Sequence, residues 1–281
     1  MTTLQLQQPQ PAEAAPSPIR GRLREWAPLV VLMIGTFMIV LDFFIVNVAL
    51  PSIQTGLHAG TTAIEWVVAS YGLTFAVFLI AAGRIGDRVG RRRMFALGLA
   101  VFVAASALCG LAPSEGVLIG ARFVQGIGAA LMSPNILSIL GVVYPGERRV
   151  RAITVYGIVM GMAAASGQLI GGLLIAANVA GAGWRTIFLI NVPIGLVGLA
   201  LTPRLLPESR AGLAKHVDVT GMVLVTGALV ALVLPLVQGH DAGWPAWTWV
   251  SFGIFALLLA VLAATQRRLD ARGGAPLLDP I

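Results

Sequence analysis

An all-α protein of eight transmembrane helices is the fold class this 281-residue sequence predicts. Three observations predict it. Hydrophobic residues make up 57 % of the chain and charged residues 11 %, against about 25 % charged in a soluble domain, so there is too little polar surface to coat a water-soluble globule. Eight apolar runs meet or approach the roughly 20 residues that a helix needs to cross a bilayer core. The basic residues, finally, fall in alternate loops.

Residues 1–27 are rich in Gln, Pro and Ala without hydrophobic periodicity and read as a disordered tail. The first apolar run is too long for a cleavable signal and reads as a retained anchor. Spans are expected near 28–50, 64–82, 94–112, 117–143, 153–177, 186–203, 219–237 and 248–265. No charged residue occurs between Ala152 and Trp184 or between Val219 and Gly239. The longest connection, 204–218, contains Leu206-Pro-Glu-Ser-Arg210 and reads as a surface linker. It divides a six-span bundle (28–203) from a further helix pair (219–265), after which 266–281 reads as a loop cut short.

All but two of the 19 basic residues lie in the tail (Arg20, Arg22, Arg24), after span 2 (Arg84, Arg88, Arg91, Arg92, Arg93), after span 4 (Arg148, Arg149, Arg151), after span 6 (Arg204, Arg210, Lys215) and at the C-terminal end (Arg267, Arg268, Arg272). With eight alternating spans these share one side, which the positive-inside rule makes cytoplasmic. The expected location is therefore a bacterial plasma membrane with the N-terminus inside. The net charge of +7, split among five short loops, argues against a nucleic-acid partner. One cysteine, Cys109, allows no intramolecular disulfide and reads as a buried hydrophobe. No nucleophile–base constellation, metal-ligand set or phosphate loop suggests an enzyme, a cofactor or a metal.

An ionisable residue inside a span costs about 2.5–3.5 kcal/mol on insertion scales, so each needs a reason. Asp42 lies roughly 12 Å below the outer end of span 1 and Arg122 roughly 8 Å below that of span 4, at 1.5 Å per residue. They can share a cavity or form an ion pair, either static or one whose carboxylate exchanges a proton under the guanidinium's influence. Gln125, at i+3, shares the face of Arg122. Asn47 and Gln168 are neutral mid-span residues suited to interhelical hydrogen bonds. Asn135 follows Pro134 and can satisfy a carbonyl freed at a kink. Asn47, Trp66, Tyr71 and Gln125 are the candidates for lining a substrate cavity.

The turn after span 2 reads Gly83-Arg-Ile-Gly-Asp-Arg-Val-Gly-Arg-Arg-Arg93. Gly83 and Gly90 allow close approach and positive φ. Asp87 can cap the next helix or pair with Arg91. This turn resembles the Gly-x-x-x-Asp-Arg-x-Gly-Arg-Arg signature of the major facilitator superfamily, carried here by Gly83, Asp87, Arg88, Gly90 and Arg91. Further segments resemble, in order, the multidrug:proton antiporters with fourteen spans: Asp42 to Pro51 in span 1; Arg122, Gln125, Gly126, Gly128 and Ala130 in span 4; Ser166-Gly167-Gln168-Leu-Ile-Gly171-Gly172 in span 5; Trp184 to Gly195 at span 6; and Asp218-Val-Thr-Gly221 at span 7. The family's span 5 motif carries Gly-Pro, and here Gln168 follows Gly167, so the proline bend is not encoded.

The resemblance covers about 28–281 and implies a major-facilitator-type six-helix N-terminal bundle plus two further helices, the C-terminal half being absent. It implies proton-coupled efflux of drugs or other hydrophobic small molecules, with protons and a small-molecule substrate as partners. Asp42 and Arg122 would couple the proton, the turn would be a conformational switch packed on the other half, and the span 5 glycines would seal a path by close helix packing. Two other readings stay open: a non-transporting remnant or half that assembles with another, and a metabolite exporter or importer of the same fold.

Overall fold

A computed structural model describes residues 18–210, 218–239 and 242–271. Nine α-helices occur among them: α1 (Pro18–Leu57), α2 (Thr61–Val89), α3 (Arg91–Gly110), α4 (Glu115–Val143), α5 (Glu147–Ala177), the short α6 (Thr186–Leu189), α7 (Asn191–Leu205), α8 (Val219–Gln238) and α9 (Ala246–Ala271). No strand is formed among these residues. Seven helical segments are long and apolar enough to cross a membrane, and α8 adds a shorter apolar stretch, Val223–Gln238. The sixth is continuous only in outline, Gly183–Leu205, because a 3-10 turn and α6 lead into α7.

Order extends further at both ends than the sequence suggests. The expected tail over 1–27 is already helical from Pro18, and the expected loop over 266–281 is helical to Ala271; 1–17, 211–217 and 272–281 lie outside the described residues. Packing explains both extensions. Trp26 stacks on Tyr144 with ring centroids 5.0 Å apart. Gln266 is buried, and its amide donates to Asp218, which also caps α8 by accepting from the Gly221 N–H at 2.8 Å.

Pro28 sits inside α1, where a proline ring clashes with the preceding turn and loosens the ladder. The hydroxyl of Tyr144 enters the gap. It accepts from the Leu29 N–H at 3.2 Å and donates to the Glu25 carbonyl at 3.1 Å, so it bridges a pair four residues apart that a regular helix would join directly. Arg148 approaches Glu25 at 3.7 Å. The start of α1 and the turn between α4 and α5 thus share one end of the bundle, as the alternation of basic loops requires.

Inside the bundle α4 packs along α2 and α3, α1 along α5 and α7, and α8 with α9 forms a hairpin whose α8 leans on α2. Two apolar clusters fill the interior. One, at the arginine-rich end, includes Leu32, Phe95, Phe102, Leu140 and Leu206; the other includes Ile45, Ile53, Leu118, Trp184 and Phe188. Along α1 the first ends at Ile39 and the second begins at Leu41, so Asp42 lies at their seam. Glycine notches let the helices approach there. A Cβ on Gly128 would meet the Phe102 N at 2.6 Å, and one on Gly126 would run into Thr74 and into the Tyr71 carbonyl at 2.5 Å.

Candidate functional site

Asp42 and Arg122 form an ion pair, and both are fully buried. The Arg122 guanidinium donates to Asp42 Oδ2, to Gln125 Oε1 at 2.8 Å and, through Nε, to the Val67 carbonyl at 3.0 Å. Its face lies 4.3 Å from the centroid of the Tyr71 ring. Asp42 Oδ1 accepts from Gln125 Nε2 at 2.8 Å and from Asn191 Nδ2 at 3.1 Å. Ser106 closes the network: its hydroxyl accepts from Gln125 at 3.2 Å and Asn191 at 3.1 Å and donates to the Phe188 carbonyl at 2.9 Å. Three donors meet this one carboxylate, and the guanidinium supplies the counter-charge that burial demands. The amide oxygen of Asn191 is buried without a partner among the described residues.

Four helices bring these groups together. Arg122 and Gln125 are i, i+3 neighbours on α4, as their spacing predicts. Asp42 comes from α1, Ser106 from α3 and Asn191 from the first turn of α7. That turn is fixed from its N-terminal side: Trp184 packs on Gly56 of α1, and Arg185 donates to the Ala112 carbonyl at 3.1 Å. Sequence reasoning missed Ser106 and Asn191 as site residues. The available signal was their polarity inside apolar spans, the same argument that marked Asp42.

Beside this network lies a cavity of about 240 Å³ between α1, α2, α4 and α5, lined by Thr36, Ile39, Val40, Phe43, Phe44, Tyr71, Phe75, Ser133, Ile136, Tyr156 and Met160. Of the four cavity candidates only Tyr71 lines it, its hydroxyl donating to the Ile39 carbonyl at 3.2 Å. Gln125 is consumed by the polar network. Asn47 follows Asp42 by five residues, roughly 140° around a helix; it is exposed and returns its amide to the Phe43 and Phe44 carbonyls of its own helix, not to a neighbour. Trp66 precedes Tyr71 by the same five-residue step and packs near Phe123, ring centroids 6.1 Å apart.

In the glycine motif of α5, Gly167 and Gly171 are buried against α1, where added Cβ atoms would meet Phe44 Cβ at 3.0 Å and Ile45 Cγ1 at 2.9 Å. Gly172 faces open space and Gln168 is exposed, making no interhelical hydrogen bond. The helix runs unbroken from Glu147 to Ala177, as a motif without its proline should. Asn135 donates to the Leu131 carbonyl at 2.8 Å; the carbonyl that Pro134 frees is one residue earlier, Ala130.

The turn between α2 and α3 is a single residue, Gly90, at φ 127°. Asp87 does not cap α3; it pairs with Arg91 at 2.8 Å. Gly83 keeps helical φ, and its role is close approach, a Cβ there lying 3.3 Å from Pro134. Arg88 is exposed. Within the segment expected to be a surface linker, Glu208 and Ser209 dock on this turn. Glu208 Oε1 accepts from the Arg92 N–H at 3.2 Å, its other oxygen lies 3.7 and 3.6 Å from Nε of Arg92 and Arg93, and the Ser209 carbonyl accepts from the Arg91 N–H at 3.0 Å. A carboxylate thus occupies the N-terminus of α3, whose first N–H groups have no helical partner.

A bundle of apolar helices with a buried ion pair beside an apolar cavity is the architecture of half a secondary transporter. The chain belongs to the Major Facilitator Superfamily, whose profile matches residues 32–265. It is 43 % identical to the methylenomycin A resistance protein of Bacillus subtilis over 87 % of this chain and 51 % of that protein. It is 38 % identical to the tetracenomycin C resistance and export protein of Streptomyces glaucescens over 91 % and 46 %. To the multidrug resistance protein Stp of Mycobacterium tuberculosis it is also 38 % identical, over 88 % and 45 %. The chain therefore spans about half the length of the curated relatives it matches. Among solved structures, the fold is shared with the proton:xylose symporter XylE (TM-score 0.58, 17 % identity, 90 % of this chain and 56 % of that one). A bacterial homologue of the human lysosomal transporter Spinster gives TM-score 0.56 at 22 % identity, over 91 % and 62 %.

Proposed function

We propose that this chain is the proton-handling and cargo-contacting part of a non-enzymatic exporter of hydrophobic small molecules, driven by protons moving into the cell. The observation that carries the reading is the Asp42–Arg122 pair, fully buried, whose guanidinium lies 4.3 Å from the centroid of Tyr71, a ring that also lines the cavity. Protonating Asp42 removes the anion that holds Arg122. The guanidinium is then an uncompensated charge between two apolar clusters, and the packing around Asp42, Gln125 and Asn191 relaxes by moving α1, α4 and α7 relative to one another. A proton and a cargo molecule can in this way bias the same two states of the bundle. The names of the relatives, two resistance proteins and one resistance and export protein, support export as the direction.

The turn at Gly90 is the proposed conformational switch, and its arginines support an N-terminus on the cytoplasmic side of a bacterial plasma membrane. The six-span bundle from α1 to α7, in which α6 and α7 together make the sixth span, and the α8–α9 pair act as separate units, with a second half as partner. The outward apolar face of α5, with Met162, Leu169 and Leu173 exposed, supports that partner or lipid as its cover. Export by inverted vesicles should stop when a protonophore collapses the gradient and should lose its proton dependence in Asp42→Asn. Unchanged proton-driven export in Asp42→Asn would overturn the coupling role.

A further inference from the structure

The cavity beside the ion pair carries no formal charge on any of its eleven lining residues. Asp42 is absent from the lining, wholly buried and bonded to Arg122, Gln125 and Asn191. Five rings form the wall instead: Phe43, Phe44, Tyr71, Phe75 and Tyr156. Tyr71 and Phe75 stand nearly parallel, 5° apart in plane, and present flat surfaces. Two hydroxyls in the wall, Ser133 Oγ and Tyr156 Oη, make no hydrogen bond among the described residues. They remain free to serve an oxygen-bearing guest.

Arg122 decides which charge such a guest can carry. An aromatic face attracts a cation through its negative quadrupole, and the guanidinium already occupies one face of Tyr71 at 4.3 Å. The same ring lines the cavity, so a second cation stacked on it would meet the like charge of the first. Protonation of Asp42 worsens the conflict, because it removes the anion that offsets Arg122. An uncharged ring meets no such opposition.

We infer that the cargo of this cavity is a flat, uncharged, oxygen-bearing aromatic molecule, and that the cavity refuses lipophilic cations. The inference rests on the proposed export function and names its substrate class.

The test compares two planar probes of similar size, the neutral 1,4-dihydroxyanthraquinone and the cation ethidium. Binding is measured by fluorescence on the full chain in nanodiscs and proton-driven uptake in inverted vesicles. The neutral probe should bind at least about tenfold tighter than ethidium, a margin of roughly 1.4 kcal/mol. Ser133→Ala with Tyr156→Phe should weaken it several-fold while leaving the elution profile of the protein unchanged. Ser133→Asp, which places a carboxylate in the wall, should shift the preference toward ethidium. Ethidium bound or moved by the unmodified protein as well as the neutral probe would overturn the substrate class and leave the export reading standing. Neither probe bound, and neither moved by a proton gradient, would overturn both.

Discussion

Replacing Asp42 with asparagine leaves the Arg122 guanidinium charged, fully buried and without an anion. Breaking a buried ion pair by removing one partner costs about 3–5 kcal/mol. Arg122 would keep the Val67 carbonyl at 3.0 Å, Gln125 Oε1 at 2.8 Å and the face of Tyr71, so the lower end, about 3 kcal/mol, applies. The new amide also meets donors from Arg122, Gln125 and Asn191, and one of its two ends cannot accept them. Neutralising both members, Asp42→Asn with Arg122→Gln, removes the stranded charge. The double variant should therefore be less destabilised than the sum of the singles, with a coupling of about 2 kcal/mol in the cycle. Unfolding of the purified protein in mixed micelles by titrated denaturing detergent measures all four corners. Additive effects, or a loss under about 1 kcal/mol for Asp42→Asn, would refute the argument that the pair is an electrostatic unit.

Three further outcomes follow from the packing. Gly167→Leu should separate α1 from α5 and lower the melting temperature, whereas Gly172→Leu, five residues on and facing open space, should leave it unchanged; equal effects would contradict the assigned face. Gly90→Ala forces a side chain into a φ of 127° and toward Glu208 Oε1, which a Cβ would meet at 2.7 Å; about 1–3 kcal/mol of destabilisation is expected, and Glu208→Gln should speed amide exchange at Arg91 and Arg92. Tyr144→Phe removes the bridge across Pro28 and leaves the Leu29 N–H and Glu25 carbonyl unjoined; about 1–3 kcal/mol of stability should be lost, with faster proteolysis near Trp26.

Much of this molecule can be read from composition and order. Hydropathy places the helices because a bilayer tolerates no unsatisfied backbone. The six segments up to Leu205 and the α8–α9 pair all occur where apolar runs predict them. Charge placement marks one end of every span. The cost of burying a charge singles out Asp42 and Arg122 before any contact is known. Positive φ at Gly90 follows from a turn too short for any side chain. The sequence alone thus determines the order of the apolar segments and which residues need a partner, but not the break that divides the sixth into α6 and α7.

Which partner each residue meets is a tertiary matter. Asn191 reaches Asp42 across 149 residues and Glu208 reaches the α3 terminus across 116. No local periodicity registers such separations. In a membrane the lipid-facing and protein-facing sides of a helix are both apolar, so hydropathy cannot fix helix rotation, and nothing local shows that Tyr71 lines this cavity while Asn47 and Trp66 do not. Rotation was decided by glycine notches such as Gly126 and Gly167, where only a missing Cβ lets two helices come close. Those notches set how closely α1, α2, α4 and α5 approach around the cavity, where Tyr71 meets both the cavity and the Arg122 guanidinium.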